Sequence, residues 1–119
     1  MISRIIPIFL VISIDDAIKF YESIGFKYDF HYHLDGDKDK PKIFAALTWN
    51  KQHLYIQQAA AKSRNGAYMM HDDVLALQKS FEERGVNITY GPIEQPYRIR
   101  ELHIEDPWGN QLSFAEYLQ

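Results

Sequence analysis

An α+β fold of two βαβββ modules, with curved mixed sheets around a concave cavity, is predicted by three features of the chain. They are paired helix openings, paired closing glycines, and alternating strands between them. Asp15-Asp16 and Asp72-Asp73 lie 57 residues apart (15 to 72), and Gly25 and Gly85 lie 60 apart (25 to 85). Each half then reads strand, helix, three strands. One such module puts a single helix on a four-stranded sheet and leaves the opposite face bare. Two modules can wrap around a shared hollow, so positions 1–119 read as one domain with modules at about 1–60 and 66–119.

The elements follow in order. Ile5 to Ile12 is almost wholly apolar and reads as a buried strand. Ser13 offers an N-cap with Asp16 three residues on. Ile14, Ala17, Ile18, Tyr21 and Ile24 fall at helical spacing, and Gly25 sits where a left-handed C-cap residue is wanted. From Phe26 to His33 the chain alternates, with Phe26, Tyr28, Phe30 and Tyr32 on one face and Lys27, Asp29, His31 and His33 on the other, although Phe26 and Tyr28 are read as helix-facing packing and not as pocket. Asp35 to Pro41 is a charged loop, and Ile43–Trp49 and His53–Gln58 form a hairpin across Asn50-Lys51-Gln52. After the small, polar connector Ala59–Asn65, Ala67–Met70 is a short strand. Asp72-Asp73 opens a helix carrying Val74, Leu77 and Phe81, closed by Gly85. Val86–Tyr90 is a strand, Gly91–Tyr97 a Gly/Pro loop and Arg98–Glu105 another strand. Asp106-Pro107-Trp108-Gly109 turns the chain into the last strand, Asn110–Glu116.

Composition narrows the chemistry. With 46% hydrophobic and 24% charged residues, the chain is a globule and not a disordered tail. A net charge of −3 argues against nucleic acid as a partner, since neutralising phosphates takes a clustered basic face. The absence of cysteine removes disulfides, thiolate ligands and a thiol nucleophile. The N-terminal apolar run contains Pro7, meets Asp15-Asp16 without a small-residue cleavage site, and is shorter than the roughly 20 residues that span a bilayer. A cytoplasmic protein with no membrane partner is expected, and the Asn87-Ile88-Thr89 sequon then carries no meaning. Asp35, Asp37 and Asp39 imitate the start of a calcium loop, but Lys40 stands where glycine is needed and Ala46 where glutamate is. No Gly-rich phosphate loop or nucleophile elbow is present.

Strand alternation names the walls of the hollow. Leu54 and Ile56 pack under a helix and leave His53, Tyr55 and Gln57 on the concave face. Leu112 and Phe114 likewise leave Gln111, Ser113 and Ala115, and Leu102 and Ile104 leave Glu101 and His103. Trp49, Trp108, Phe30 and Tyr32 are stacking platforms near strand ends. The expected ligand-binding set is Tyr32, Trp49, His53, Tyr55, Gln57, Glu101, His103, Trp108 and Ser113, with no catalytic residue among them. Such walls suit a flat heteroaromatic or a cation, the latter through cation–π contacts of roughly 0.5–2 kcal/mol. His31 and His33 form an i, i+2 pair that could hold a metal or be hydrogen-bonded. Arg98 and Arg100 share a strand face and could grip a carboxylate, or form a solvated edge.

Two stretches carry a resemblance over essentially the whole chain. Pro7–Val11 running into Asp15–Tyr21 and Ile24-Gly25-Phe26, and Arg100–Asn110, resemble the vicinal oxygen chelate superfamily. That group includes glyoxalase I, extradiol dioxygenases, fosfomycin-resistance enzymes and bleomycin resistance proteins. The resemblance implies paired βαβββ modules and, in the family's enzymes, a divalent metal held by His or Glu from the first and last strands of each module. Carried onto this chain, those positions fall near Ile6, His53, Ala67 and Ser113, and only His53 ligates well. A transition metal needs three or four N or O donors, so no metal and no cofactor is expected. This departure resembles the bleomycin resistance branch, whose members lack the metal, bind the drug whole and form dimers with hollows at the subunit boundary. It implies a homodimer that sequesters a cationic or aromatic ligand, such as a cationic glycopeptide antibiotic. A 119-residue chain with two open half-hollows also buries them best against a copy of itself. Two alternatives stand beside it. One is a glyoxalase- or dioxygenase-type metalloenzyme (lyase, isomerase or oxygenase) with His53 and a further donor on the metal, and the other is an accessory module with an emptied pocket.

Overall fold

A computed structural model describes residues 1–62 and 64–119. The chain divides into two compact units between positions 63 and 64, and each is a βαβββ module. In the first, β1 (Ile8–Val11), α1 (Ile14–Ile24), β2 (Lys27–His33), β3 (Lys42–Trp49) and β4 (Gln52–Gln58) make a mixed sheet of order β1-β4-β3-β2. In the second, β5 (Gly66–Met70), α2 (Val74–Glu83), β6 (Ile88–Gln95), β7 (Ile99–Glu105) and β8 (Gln111–Tyr117) repeat it as β5-β8-β7-β6. Only the outer pairs β1–β4 and β5–β8 are parallel. No helix among the described residues is long and apolar enough to cross a membrane.

Each helix forms where its cap and its apolar stripe coincide. Ser13 accepts the Asp16 amide at 3.2 Å to start α1, and Ile14, Ala17, Tyr21 and Ile24 are its buried residues. They meet Phe9, Val11, Leu47, Leu54 and Ile56, all buried on one face of the sheet. In α2, Asp73 caps the Ala76 amide at 3.0 Å, and Val74, Leu77 and Phe81 pack with Leu102, Ile104, Leu112 and Phe114. His71 accepts from the Asp73 amide at 2.9 Å and so belongs to this helix start. The turn into β8 is built on a buried carboxylate. Asp106 Oδ1 accepts from the amides of Trp108 and Asn110, both at 2.9 Å, and Oδ2 accepts from Asn110 Nδ2 at 2.7 Å.

Three elements differ from the sequence reading. β1 begins at Ile8 and not Ile5, because Pro7 has no N–H for the ladder; its carbonyl still accepts from the Tyr55 amide at 3.0 Å. β6 runs on to Gln95 where a loop was expected from Gly91. It does so through two register shifts and a close approach: a Cβ at position 91 (φ +78°) would lie 2.2 Å from the Glu101 carbonyl oxygen. The alternation of β2 breaks at Asp29. Tyr28 pairs with Leu47 but Phe30 with Ala46, so a bulge moves Tyr28 to the helix side, with His31, and away from Phe30 and Tyr32.

Candidate functional site

Residues paired across neighbouring strands project from the same face of a sheet, so the register assigns the faces. In the first unit, β4 places His53, Tyr55 and Gln57 on the face opposite α1, beside Thr48, Ala46 and Phe44 of β3. β2 adds Phe30 and Tyr32, and β1 adds Ile8. The rings form a continuous cluster. Tyr32 stacks on Phe44 at 5.8 Å between centroids, Phe44 meets Tyr55 edge-on at 4.8 Å, and Phe30 meets Tyr32 at 5.4 Å. Tyr32 is 60% exposed, so the cluster presents aromatic surface outward.

At the end of the β3–β4 hairpin, a cleft of about 570 Å³ is lined by Gly25, Lys27, Thr48, Trp49, Asn50, Lys51 and His53. Trp49 reaches it from the helix side of the sheet: its ring lies edge-on to Phe26 at 5.1 Å and against Gly25. A Cβ at position 25 (φ +129°) would come within 2.9 Å of that ring. Gly25→Ala therefore costs more than about 1 kcal/mol and displaces Trp49, checked by thermal melting and tryptophan fluorescence.

The second unit holds a different arrangement. Glu101 is only 6% exposed, and its Oε2 accepts from Tyr68 at 2.6 Å and from Tyr97 at 2.8 Å. His103 Nε2 lies 3.4 Å from Oε1, and its ring stacks on Tyr90 at 4.6 Å. The hydrogen bond from Tyr68, followed by those from Tyr97 and His103, holds the carboxyl below the ordinary carboxylate range against the opposing effect of burial. The phenols respond in the other direction. Tyr68 is pushed up by desolvation of its hydroxyl and by its bond to Glu101; its ring remains half-exposed. Tyr97 is raised chiefly by its bond to the same carboxylate. Glu101 is thus a preorganised anion with aromatic neighbours.

The positions to which the resemblance carried metal ligands do not make a metal site. Arg4 Nη1 lies 2.9 Å from His53 Nε2; guanidinium only donates, so the lone pair that would bind a metal is spent on Arg4. Ile6 has no donor. Ala67 pairs with Leu112 and turns toward α2; the open-face position next to Ser113 is Tyr68. Ser113 is buried and its hydroxyl accepts from Gln111 Nε2 at 3.0 Å. Among the described residues, no three His, Asp or Glu side chains are grouped to hold an ion. The donor set does not fit the metal of the family's enzymes.

The expected residues therefore divide. Tyr32, His53, Tyr55 and Gln57 share one open sheet face, and Glu101, His103 and Ser113 share another. Trp108, 7% exposed, belongs to the packing of the Asp106 turn. Arg98 falls in the turn before β7, while Arg100 pairs with Glu116 at 3.5 Å and Glu94 at 4.0 Å. Sequence reasoning missed Phe44, Tyr68, Tyr90, Tyr97 and Arg4. Phe44 was reachable by applying alternation to β3, and Tyr68 by a one-residue change of register in β5. Tyr97 and Arg4 lie outside strands, where no periodicity points to them.

Comparisons with known proteins agree with this layout. The bleomycin-binding protein solved in complex with bleomycin superimposes with a TM-score of 0.79 at 17% identity, over 97% of this chain and 98% of that one. The bleomycin resistance determinant encoded on transposon Tn5 gives 0.81 at 17% identity, over 98% of each chain. A glyoxalase-related enzyme from Clostridium phytofermentans gives 0.78 at 20% identity, over 99% and 97%. At these identities the likeness establishes the fold. No curated protein sequence matches the chain. The family description "Glyoxalase/Bleomycin resistance protein/Dioxygenase superfamily" matches residues 4–114, nearly the full length, and the chain belongs to that superfamily.

Proposed function

We propose that this protein binds a small cationic or aromatic molecule whole, as a metal-free sequestering protein acting as a homodimer in the cytoplasm. The observation that carries the reading is Glu101: a buried, ionised carboxylate fixed by two phenols and an imidazole. Such a group attracts a cation, and the rings around it supply cation–π contact. The aromatic cluster of Phe30, Tyr32, Phe44 and Tyr55 supports the same reading, because an open ring surface stacks on a planar ligand. The structural likeness to a protein solved with bleomycin adds a candidate ligand class.

Calorimetry with bleomycin, alongside an electroneutral aromatic control, tests the reading. Binding should release heat and raise the melting temperature, by about 2.7 kcal/mol of stabilisation at a hundredfold excess over Kd. No heat and no stabilisation with either ligand would overturn it in favour of an emptied module. Near-stoichiometric metal that survives dialysis and is released by His53→Ala would establish the metalloenzyme reading instead. Sedimentation should show a dimer at micromolar concentration, and a monomer would remove the two-chain part of the proposal.

A further inference from the structure

The bulge in β2 brings Tyr28, His31 and His33 together on the helix side of the sheet edge, the opposite face from the aromatic cluster. His31 Nε2 and His33 Nε2 lie 3.1 Å apart. His33 Nδ1 is 2.6 Å from the Lys40 carbonyl oxygen, which only accepts, so Nδ1 carries the hydrogen and Nε2 the lone pair. The Nε2–H of His31 therefore donates to His33, and the His31 Nδ1 lone pair accepts from the Tyr28 hydroxyl. Every ring nitrogen is accounted for with both imidazoles neutral.

That geometry suits more than a hydrogen bond. Two imidazoles bound cis to one ion, at about 2.0–2.1 Å each, hold their nitrogens about 2.9–3.4 Å apart. Both distal nitrogens already have the outer partners that metal-bound histidines use, a backbone carbonyl and a hydroxyl. We propose that His31 and His33 form a two-histidine site for a divalent transition metal of the copper, nickel and zinc class, separate from the ligand-binding surface.

Loading requires no net loss of a proton. The hydrogen on His31 moves from Nε2 to Nδ1, and the Tyr28 hydroxyl rotates from donor to acceptor. His33 keeps its hydrogen on the Lys40 carbonyl and offers Nε2 unchanged. The charged groups nearby are Asp15 and Lys42. They pair at 2.6 Å, so Lys42 is neutralised, and the Asp15 carboxyl is held low by Lys42 first and then by Lys19. Water completes the coordination, which makes the ion exchangeable and distinguishes this site from a three- or four-donor resident centre.

Titration of the full chain with Cu(II), Ni(II), Zn(II) and Mg(II) at pH 7.5 tests the site. Expected is binding with Cu(II) tightest and Mg(II) inert. His31→Asn and His33→Asn should each weaken Cu(II) at least tenfold and remove one imidazole nitrogen from its electron paramagnetic resonance spectrum. His53→Ala should leave both readouts unchanged, separating this site from the family's metal position. Tyr28→Phe should weaken binding several-fold while keeping both nitrogens, the mark of a positioning residue. Circular dichroism confirms that each variant is folded. Cu(II) binding that persists in the His31→Asn/His33→Asn double variant, or its absence in the wild type at millimolar metal, overturns the proposal whatever the outcome with bleomycin.

Discussion

Asp106→Ala lowers the stability of the fold by at least about 3 kcal/mol, read as a fall in the urea midpoint at constant slope. The carboxylate accepts three hydrogen bonds at 2.7–2.9 Å from two backbone amides and the Asn110 side chain. Asp106, Trp108 and Asn110 are 5%, 7% and 0% exposed, so the released donors find little water. Each stranded buried donor costs about 1–3 kcal/mol, against a total of about 5–15 kcal/mol for a domain. Asp106→Asn separates acceptor loss from shape. Its remaining oxygen still serves the two amides, but its NH₂ faces the NH₂ of Asn110, for an intermediate loss of about 1–2 kcal/mol. An alanine variant as stable as the wild type would show that the turn is held by its backbone bonds alone, chiefly Asp106 N–H to the Asn110 carbonyl at 2.9 Å.

That turn was legible in the sequence because a tight reversal needs particular residues at particular places. The same holds for Ser13 and Asp73, whose capping atoms sit where the apolar stripes of α1 and α2 begin. Face assignments in β4, β7 and β8 were legible for a related reason. Leu54 and Ile56, Leu102 and Ile104, and Leu112 and Phe114 are apolar enough to fix which side meets the helix, and one-residue slips would expose them. Where that constraint weakens, alternation misleads. Strand β2 is a sheet edge with aromatic residues at every second position on paper, so nothing in its pattern reveals that Asp29 is a bulge. β5 has Ala67 and Met69 on one face and Tyr68 and Met70 on the other, and size alone does not choose between them. The candidate site suffered in the same places: Glu101 and His103 followed from pattern, whereas the phenols that define the environment of Glu101 come from β5 and from a turn. Arg4 taking the lone pair of His53 is a tertiary event between positions 49 apart.

Glu101→Gln tests whether the charge of that buried carboxylate, and not its shape, governs binding and acid stability. A glutamine oxygen in the place of Oε2 can still accept from Tyr68 and Tyr97, so the arrangement survives while the anion is lost. Affinity for a cationic ligand should fall at least tenfold, with a neutral aromatic ligand unaffected; equal losses for both would mean the site collapsed. Stability should fall by about 1–2 kcal/mol at neutral pH, since hydrogen bonds to an ionised acceptor are roughly twice as strong as neutral ones. The pH dependence has a definite sign. A carboxyl whose folded pKa lies below its unfolded value stabilises the fold fully above the unfolded value, near 4.3, and loses that contribution as pH falls through the folded one. The stability difference between wild type and Glu101→Gln should therefore be constant above about pH 5 and shrink on further acidification. Tyr68→Phe removes the largest of the interactions holding the carboxyl low, so its own acid-dependent loss should be smaller than that of the wild type. A difference that stays flat from pH 6 to pH 3 would mean Glu101 titrates alike in the folded and unfolded chains, and its phenol partners then contribute packing without holding a charge.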